Sequence, residues 1–578
     1  MHNDGIEPNM IVAASTRDKE VFTSGNDTSD YTPTEESINT GQDEISDQAM
    51  EIDTSPENLQ RSSALFLLGL KEKHKLTQVT VDSMVDSITT LTHQNVNCLR
   101  SQVFKALSTT DISPSVMSEL EDCFSKHENP FVGLETKYKQ MQYCLKNFDF
   151  CEPVTIELGE RHVWKGSGSS RKLVTKHDTF IYIPVLQTLQ TLLNNKAIMS
   201  EVDKGHKSSS EVLHDFCDGK VYSSHSVFSV KNPSLQIMLY YDDLEACNPL
   251  GSKAKIHKLG AFYFTLGNMS PKLRSSLASI QLMALVKSSY IAVHGMDAIL
   301  RPFVDDMKKL ETGFEFKVNG GCLKLFGALA IVSADNLGSL ALGGFKESCS
   351  ALKMCRHCMA TKEESQTKKF QLREKTSHKH QCEEVEKDKT GEKSKEYGIN
   401  RNSILNELAY FHMMDIVDIL FSPSITEDHT AYLNILINDH HEEFCRLYPG
   451  HSVLPKQHFM VHMGRLMIQF GPLVRHWTMR FEAKHSYFKQ LAQSLGNFIN
   501  LPYTLASRYQ QYHCYLHTTT QTEEFPGRES AVETGPGETV ANDTLKEHLA
   551  YPILTTFKYA LSIEHMLVLL FVLNMIYL

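Results

Sequence analysis

Two apolar runs in this chain stop on aspartate: Ser-Leu-Gln-Ile-Met-Leu-Tyr-Tyr-Asp242-Asp243 and Leu-Phe-Gly-Ala-Leu-Ala-Ile-Val-Ser-Ala-Asp335. Both read as buried strands that deliver carboxylates to a strand end. Far downstream, in Trp477-Thr-Met-Arg-Phe-Glu482-Ala-Lys-His485, a glutamate sits on a segment of helical pattern. Acids on three separate elements are a donor set for two divalent ions, Mg2+ or Mn2+, held about 3.5–4 Å apart, which activate an attacking oxygen and stabilise the leaving oxygen of a phosphodiester. An aspartate at a strand end also serves as a turn residue or helix cap, so the spacing alone leaves both readings open.

A second set of residues suits a softer metal. Cys355-x-x-Cys358 lets two thiolates reach one zinc ion, which takes four soft or borderline ligands in a tetrahedron. His378-Lys-His380-Gln-Cys382 follows about twenty residues on and is the expected source of the remaining Zn2+ ligands, with a redox pair or unliganded thiols as the alternative. His357, inside the tight turn, is expected to point outward. His458 and His462 are four apart on a predicted helix and share a face, but Phe459, Met460, Leu466 and Met467 around them predict core packing instead. No Gly-rich phosphate loop, Ser/His/Asp order or Gly-x-Ser-x-Gly elbow is present, which argues against an ATPase or an ordinary hydrolase.

The elements that must position these residues follow from periodicity. Strands are predicted at Ile237–Tyr241 and Leu259–Leu266, and their near-continuous apolar content calls for a sheet covered on both faces, an α/β core. Ser270-Pro271 opens a predicted amphipathic helix running to about Val286, and a second helix near Met296–Leu310 leads to the strand that ends on Asp335. Upstream, short strands are predicted at Val154–Leu158 and Phe180–Val185, with a helix over Val185–Leu193. Apolar residues at three- and four-residue spacing from Ala64 to Leu91 predict a small helical packing segment.

Composition bounds the rest. The 578 residues, 41% hydrophobic, suffice for two or three domains with a large core. The net charge of −11 argues against a protein that coats DNA indiscriminately and leaves room for a local basic face. Residues 1–60 are an acidic leader too poor in apolar residues to offset its ordering entropy, hence expected to be disordered. The remaining divisions are a helical segment at 61–130, the first part of the core at 131–350, a Cys/His-bearing charged loop at 351–400, a truncated insertion with the C-terminal catalytic helices at 401–525, and a linker with an apolar tail at 526–578. Thirteen cysteines without a secretory leader fit a reducing, intracellular compartment. The tail Met566–Leu578 is short of the roughly twenty residues a spanning helix needs, so no membrane partner is expected.

Three blocks resemble a known family. Asp243-Leu-Glu-Ala-Cys-Asn248-Pro249-Leu-Gly251 is similar to the Asp-Gly-x-Asn-Pro-Phe-Gly block of plant CACTA/EnSpm-type transposases. Asp335-Asn-Leu-Gly-Ser-Leu-Ala-Leu-Gly343-Gly344-Phe345 with Cys355-Arg-His-Cys358 resembles their Asp-x-Pro-Ala…Leu-x-Gly-x…Cys-x-x-Cys block. His458-Phe-Met-Val-His462 with Gly471-Pro472 and Trp477-Thr-Met-Arg-Phe-Glu482 resembles their third block. The order and spacing match over about residues 220–520, and the wording is nearest to animal transposon-derived relatives. The resemblance implies an RNase H-like catalytic core, DDE-type DNA strand cleavage and transfer by Asp243 or Asp242 with Asp335 and Glu482, transposon-end DNA as partner, a nuclear location, and room for a homo-oligomer. The chain departs from the pattern where a histidine-bearing block should open a long helical insertion. Tyr410-Phe-His412-Met-Met-Asp415-Ile-Val-Asp418 stands there instead, and much of the insertion is missing. The alternative is therefore a non-catalytic, domesticated or decayed relic that binds DNA or a protein partner.

Overall fold

The computed structural model describes residues 56–519, except 110–111, 128, 167, 206–211, 232, 247–256, 349–350, 367–370, 416–425, 452, 473–478 and 497. The acidic leader up to residue 55, Asn248, Pro249 and Gly251, Asp418, Trp477 and the apolar tail lie outside the described residues.

Seven strands form one mixed sheet: β1 Val154–Lys165, β2 Lys172–Tyr182, β3 Ser234–Glu245, β4 Lys258–Leu266, β5 Gln281–Lys287, β6 Phe314–Val318 and β7 Gly321–Ala334, in the order β1-β2-β5-β4-β3-β7-β6. Neighbours run antiparallel except β3 and β7, which are parallel. The helices that matter here are α1 Pro56–Lys73, α2 Val185–Leu193, α3 Met296–Thr312, α4 Asn336–Gly343, α5 Lys375–Lys387, α6 Pro455–Met460, α7 Met463–Phe470, α8 Met479–Leu495 and α9 Leu501–Thr519.

β3 is central because its residues from Ser234 to Tyr241 are all buried, as a strand covered on both faces requires. Ile237, Leu239 and Tyr241 point to one face, where Val185 and Leu189 of α2 and Phe303 and Met307 of α3 cover them. Tyr240 and Leu244 point to the other, against Phe481, Phe488 and Leu491 of α8 and Tyr509 of α9. Beside them, Met238 and Ile331 pack on Leu466, Met467 and Phe470 of α7. Thus α7 and α8 lie on the same face of the sheet.

Three sequence expectations are corrected. The helix expected from Ser270 to Val286 ends at Arg274, and Gln281–Lys287 is instead a strand between β2 and β4. Gln281 to Val286 are all buried, so the chance to fill an interior strand position outweighs the local helical periodicity. The short strands expected at Val154–Leu158 and Phe180–Val185 are the inner ends of the much longer β1 and β2, and Val185 opens α2. The charged stretch expected as an open loop contains α5, which buries His378, Cys382 and Val385.

At the other end of the described residues, α1 docks on α9 through a buried ion pair. Arg508 Nε lies 2.7 Å from both carboxylate oxygens of Glu72. Gly471 has φ 75, and a Cβ there would collide with the Asp215 carbonyl. That close approach is the physical reason for glycine in the Gly471-Pro472 turn, because only glycine combines positive φ with no side-chain volume. Asp215 is itself held by a buried Arg274, whose guanidinium approaches both carboxylate oxygens.

Candidate active site and metal centre

The pleat separates the two adjacent aspartates of β3. Asp242 follows Tyr240 on the α8 face, and Asp243 follows Tyr241 on the α3 face. Asp243 is already satisfied: Lys258 Nζ lies 2.8 Å from Oδ2, and Ser288 Oγ donates to Oδ1 at 2.8 Å. Lys258 is raised above the ordinary lysine range, chiefly by that hydrogen bond to Asp243. Asp242 meets no cation of this kind. Its Oδ2 accepts from Tyr240 Oη at 3.2 Å and its Oδ1 from the Asp243 N–H at 2.7 Å.

Asp335 is brought alongside by the parallel pairing of β7 with β3, in which Tyr241 sits opposite Ala334. It caps α4, with Oδ1 accepting from the Gly338 N–H at 2.6 Å. The capping role foreseen as an alternative is therefore real, yet it engages one oxygen only, and the residue is exposed. Glu482 stands in the first turn of α8 and is also exposed. The adjoining Phe481 stacks on Tyr240 at a ring separation of 4.4 Å, which fixes the start of α8 over the strand that carries Asp242.

The three acids act on one another. The Asp242 carboxyl is pushed up to about 6, first by burial, and then by the negative charges of Asp335 and Glu482, while its hydrogen bonds pull the other way. Lys258 also acts on Asp242, and the buried Arg356 acts on Asp335, so positive charge reaches the acids from both sides. Among the described residues the three carboxylates do not draw together as closely as the Cys355, Cys358, His458 and His462 donors, whose ligand atoms lie within 4.8 Å of one another. His485, one turn along α8, brings Nδ1 to 3.9 Å from Asp242 Oδ2. Burial holds that imidazole down to about 4, so it is neutral near pH 7 and does not neutralise the aspartate.

The Cys-x-x-Cys turn goes elsewhere than expected. Cys355 and Cys358 meet His458 and His462, and one ligand atom from each of the four lies within 4.8 Å of the others. Cys355 Sγ is 3.4 Å from His462 Nε2, and Cys358 Sγ is 3.2 Å from His458 Nε2. Tetrahedral zinc with bonds of about 2.3 Å to sulfur and 2.0–2.1 Å to nitrogen separates such a pair by roughly 3.6 Å, so the cage has nearly the dimensions a zinc ion requires. All four residues are buried. Burial works against a thiolate, but hydrogen bonds from Cys358, His458 and His462 hold the Cys355 thiol well below its usual range. The His357 N–H points at Cys355 Sγ at 3.3 Å, a contact that favours thiolate. The donor set therefore fits a metal such as zinc.

His378 and Cys382 approach each other within α5, at 3.7 Å, in a separate apolar cluster with Phe345 and Ile399. His380 is exposed on that helix beside Glu384. None of the three joins the Cys355–Cys358 group. His357 is buried rather than turned outward. His458 and His462 are buried, yet they face the two cysteines rather than serving core packing in place of a metal site, and they do not share one unbroken helix. α6 ends at Met460, and His462 is the residue before α7. The available signal was two matched spacings, Cys-x-x-Cys and His-x-x-x-His, about a hundred residues apart.

One residue joins the two centres. Arg356, between the cysteines and 1% exposed, reaches Asn336 Oδ1 from Nη1 at 3.3 Å and lies over the Phe459 ring at 5.3 Å. Asn336 adjoins Asp335 and Phe459 adjoins His458, so the Cys/His group is braced against the turn that presents the second acid. Arg373 supports the same turn from behind, donating from Nε to the Cys355 carbonyl at 3.0 Å.

Every described cysteine is a free thiol. Among the described residues no helix is long and apolar enough to cross a membrane. The chain matches no protein-family model and no curated protein.

Proposed function

We propose that this is a transposon-derived protein of the DDE type, built on an RNase H-like core, that cleaves and transfers DNA strands with Asp242, Asp335 and Glu482. What supports the reading is placement: Asp242 and Asp335 end adjacent parallel strands, and Glu482 opens a helix whose Phe481 stacks on Tyr240 of the Asp242 strand. The path β5-β4-β3-β7, three antiparallel strands followed by one parallel to the first, supports it, because the first two acids then end up side by side on adjacent parallel strands. Two divalent ions, when bound, supply activation of the attacking water or 3′-hydroxyl and stabilisation of the leaving oxygen. Asp242 rather than Asp243 would help to hold such ions, since Asp243 is committed to Lys258 and Ser288. Asp335 offers the oxygen that its cap leaves over. Glu482 closes the third side, and its helix start is held by Phe481 on Tyr240. A Zn2+ at Cys355, Cys358, His458 and His462 would pin the segment after Asp335 to the helices before Glu482.

Calorimetric titration of manganese into the zinc-loaded protein and its Asp335→Asn variant tests this. Binding in the parent that drops about 100-fold in the variant is the expected result. Equal binding, or none, in the folded proteins would sink the enzymatic reading and leave a non-catalytic relic.

A further inference from the structure

β1 and β2 continue far beyond the sheet as a two-stranded ribbon. β2 touches β5 only through Ile181 and Tyr182, whereas β1 and β2 pair with each other from Val154–Tyr182 out to Lys165–Lys172. A bulge between Glu157 and Gly159 re-aims the ribbon at its root. From Arg161 to His177 no aspartate or glutamate occurs, although the whole chain carries a net charge of −11. The acids of the ribbon sit at its root, where Asp178 holds Arg161 and His294, and Glu157 and Glu160 hold His177.

On one ribbon face the cross-strand partners are Arg161 with Lys176 and Lys165 with Lys172. Like charges placed directly opposite each other destabilise a strand pair, so this arrangement works against local stability. Lys165, Lys172 and Lys176 are exposed and take part in no ion pair or side-chain hydrogen bond among the described residues. Local sequence choices that oppose the fold concentrate where a partner is bound. The other face carries Trp164, 59% exposed, opposite Leu173, with the Arg171 guanidinium 5.3 Å from its ring. Residues 166–170 are only glycine and serine.

The register places this arm relative to the acids. Asp242, Ala261, Leu285 and Ile181 are successive partners in one row across β3, β4, β5 and β2. Three strand spacings put the ribbon about 14 Å to the side of Asp242, and at 3.4 Å per residue Lys176 and Lys172 stand about 17 and 30 Å beyond that row. The strand directions send the ribbon out past the end of the sheet on which Asp242, Glu245 and Asp335 lie.

We infer that the ribbon Arg161–His177 is a DNA-binding arm that grips duplex flanking the acid site, with Lys165, Lys172 and Lys176 on phosphates. A two-stranded ribbon fits the B-form major groove, about 12 Å wide, and not the deep, narrow major groove of A-form RNA. The inference shares with the proposed function only the choice of DNA as partner and does not require the acids to be catalytic.

The test is fluorescence anisotropy of a 30-base-pair duplex of arbitrary sequence with the full chain, with a Lys165→Gln/Lys172→Gln/Lys176→Gln variant, and with Lys196→Gln as control, across a salt series. The triple variant should bind at least tenfold more weakly, and its log–log salt slope should fall by about 3, near one per lost phosphate contact. A Lys196→Gln variant, exposed and away from the ribbon, should bind as the parent does. Unchanged affinity and slope in the triple variant, or no duplex binding by the parent at low salt, would overturn the arm. Equal affinity for an A-form RNA duplex would overturn the assignment of DNA. Because the triple variant relieves the like-charge pairs, its thermal melt should lie at or slightly above the parent's, so weaker binding cannot be ascribed to unfolding. A failed manganese titration would remove the catalytic reading and leave the arm standing.

Discussion

The acid cluster and the Cys/His cage lie on the same side of the molecule, joined by Arg356, and obey opposite rules. The cage is fully buried, its four donors face one another, and its turn is held by backbone hydrogen bonds and Arg373. Of the acids, Asp335 and Glu482 are open to solvent and Asp242 is half-buried, with its carboxyl raised first by burial and then by the other two charges. A closed set of soft donors suits a resident structural ion, whereas catalytic sites keep open positions for exchange. What the contrast teaches is that one fold can close soft donors away from water while leaving carboxylates open to it, with Arg356 and Asn336 between them.

The largest effect should come from breaking the closed site. Cys358→Ser and His462→Ala should each release the metal and cost more than about 4 kcal/mol, the size associated with lost metals and broken buried networks. Elemental analysis and thermal melts check both. An unchanged melting temperature in a variant that has lost its metal would remove the structural role. By contrast, Asp335→Asn should barely alter stability, because asparagine caps a helix as well as aspartate does. Its expected loss is about 100-fold in manganese affinity, near 2.7 kcal/mol, read in the titration above.

Arg356→Ala should fall between these sites. Removing a buried guanidinium that contacts Asn336 and Phe459 should cost about 2 kcal/mol of stability. It should also weaken manganese binding several-fold, with Arg356→Lys restoring less than half because the planar fork is lost. Stability loss with no change in manganese affinity would show the two centres to be independent.

The smallest effect is in pH. With Asp242 at about 6, manganese binding should be complete above that value and fall by about tenfold per unit below it, as one proton competes with the metal. Metal-free protein should show the opposite sign in stability. The folded state keeps a proton that the unfolded chain releases near 4, so stability should decline as pH rises from about 4 to about 6. A manganese affinity flat from pH 5 to 7 would show that Asp242 is not a ligand.

Much of the arrangement was readable locally. The strands ending on Asp242 and Asp335 announce themselves by apolar runs that stop on acids, and the helices at Val185–Leu193 and Met296–Thr312 by their periodicity. The segment Gln281–Lys287 was misread because a short apolar run has no period that separates an interior strand from a helix. The zinc-type partners were misassigned for a related reason: proximity in sequence favoured His378, His380 and Cys382, while packing of α7 on β3 and β7 carried His458 and His462 to the cysteines.

The sequence by itself determined which chemistry was on offer: hard carboxylates at strand ends, a Cys-x-x-Cys turn, paired histidines, and an acid-free basic stretch between Arg161 and His177. Tertiary structure decided how these were grouped. The pleat put Asp242 and Asp243 on opposite faces, Lys258 paired with the latter, and strand pairing set the basic ribbon at the acid end of the sheet. The physical reason is that residue type follows from composition, whereas convergence depends on register and helix packing between segments hundreds of residues apart.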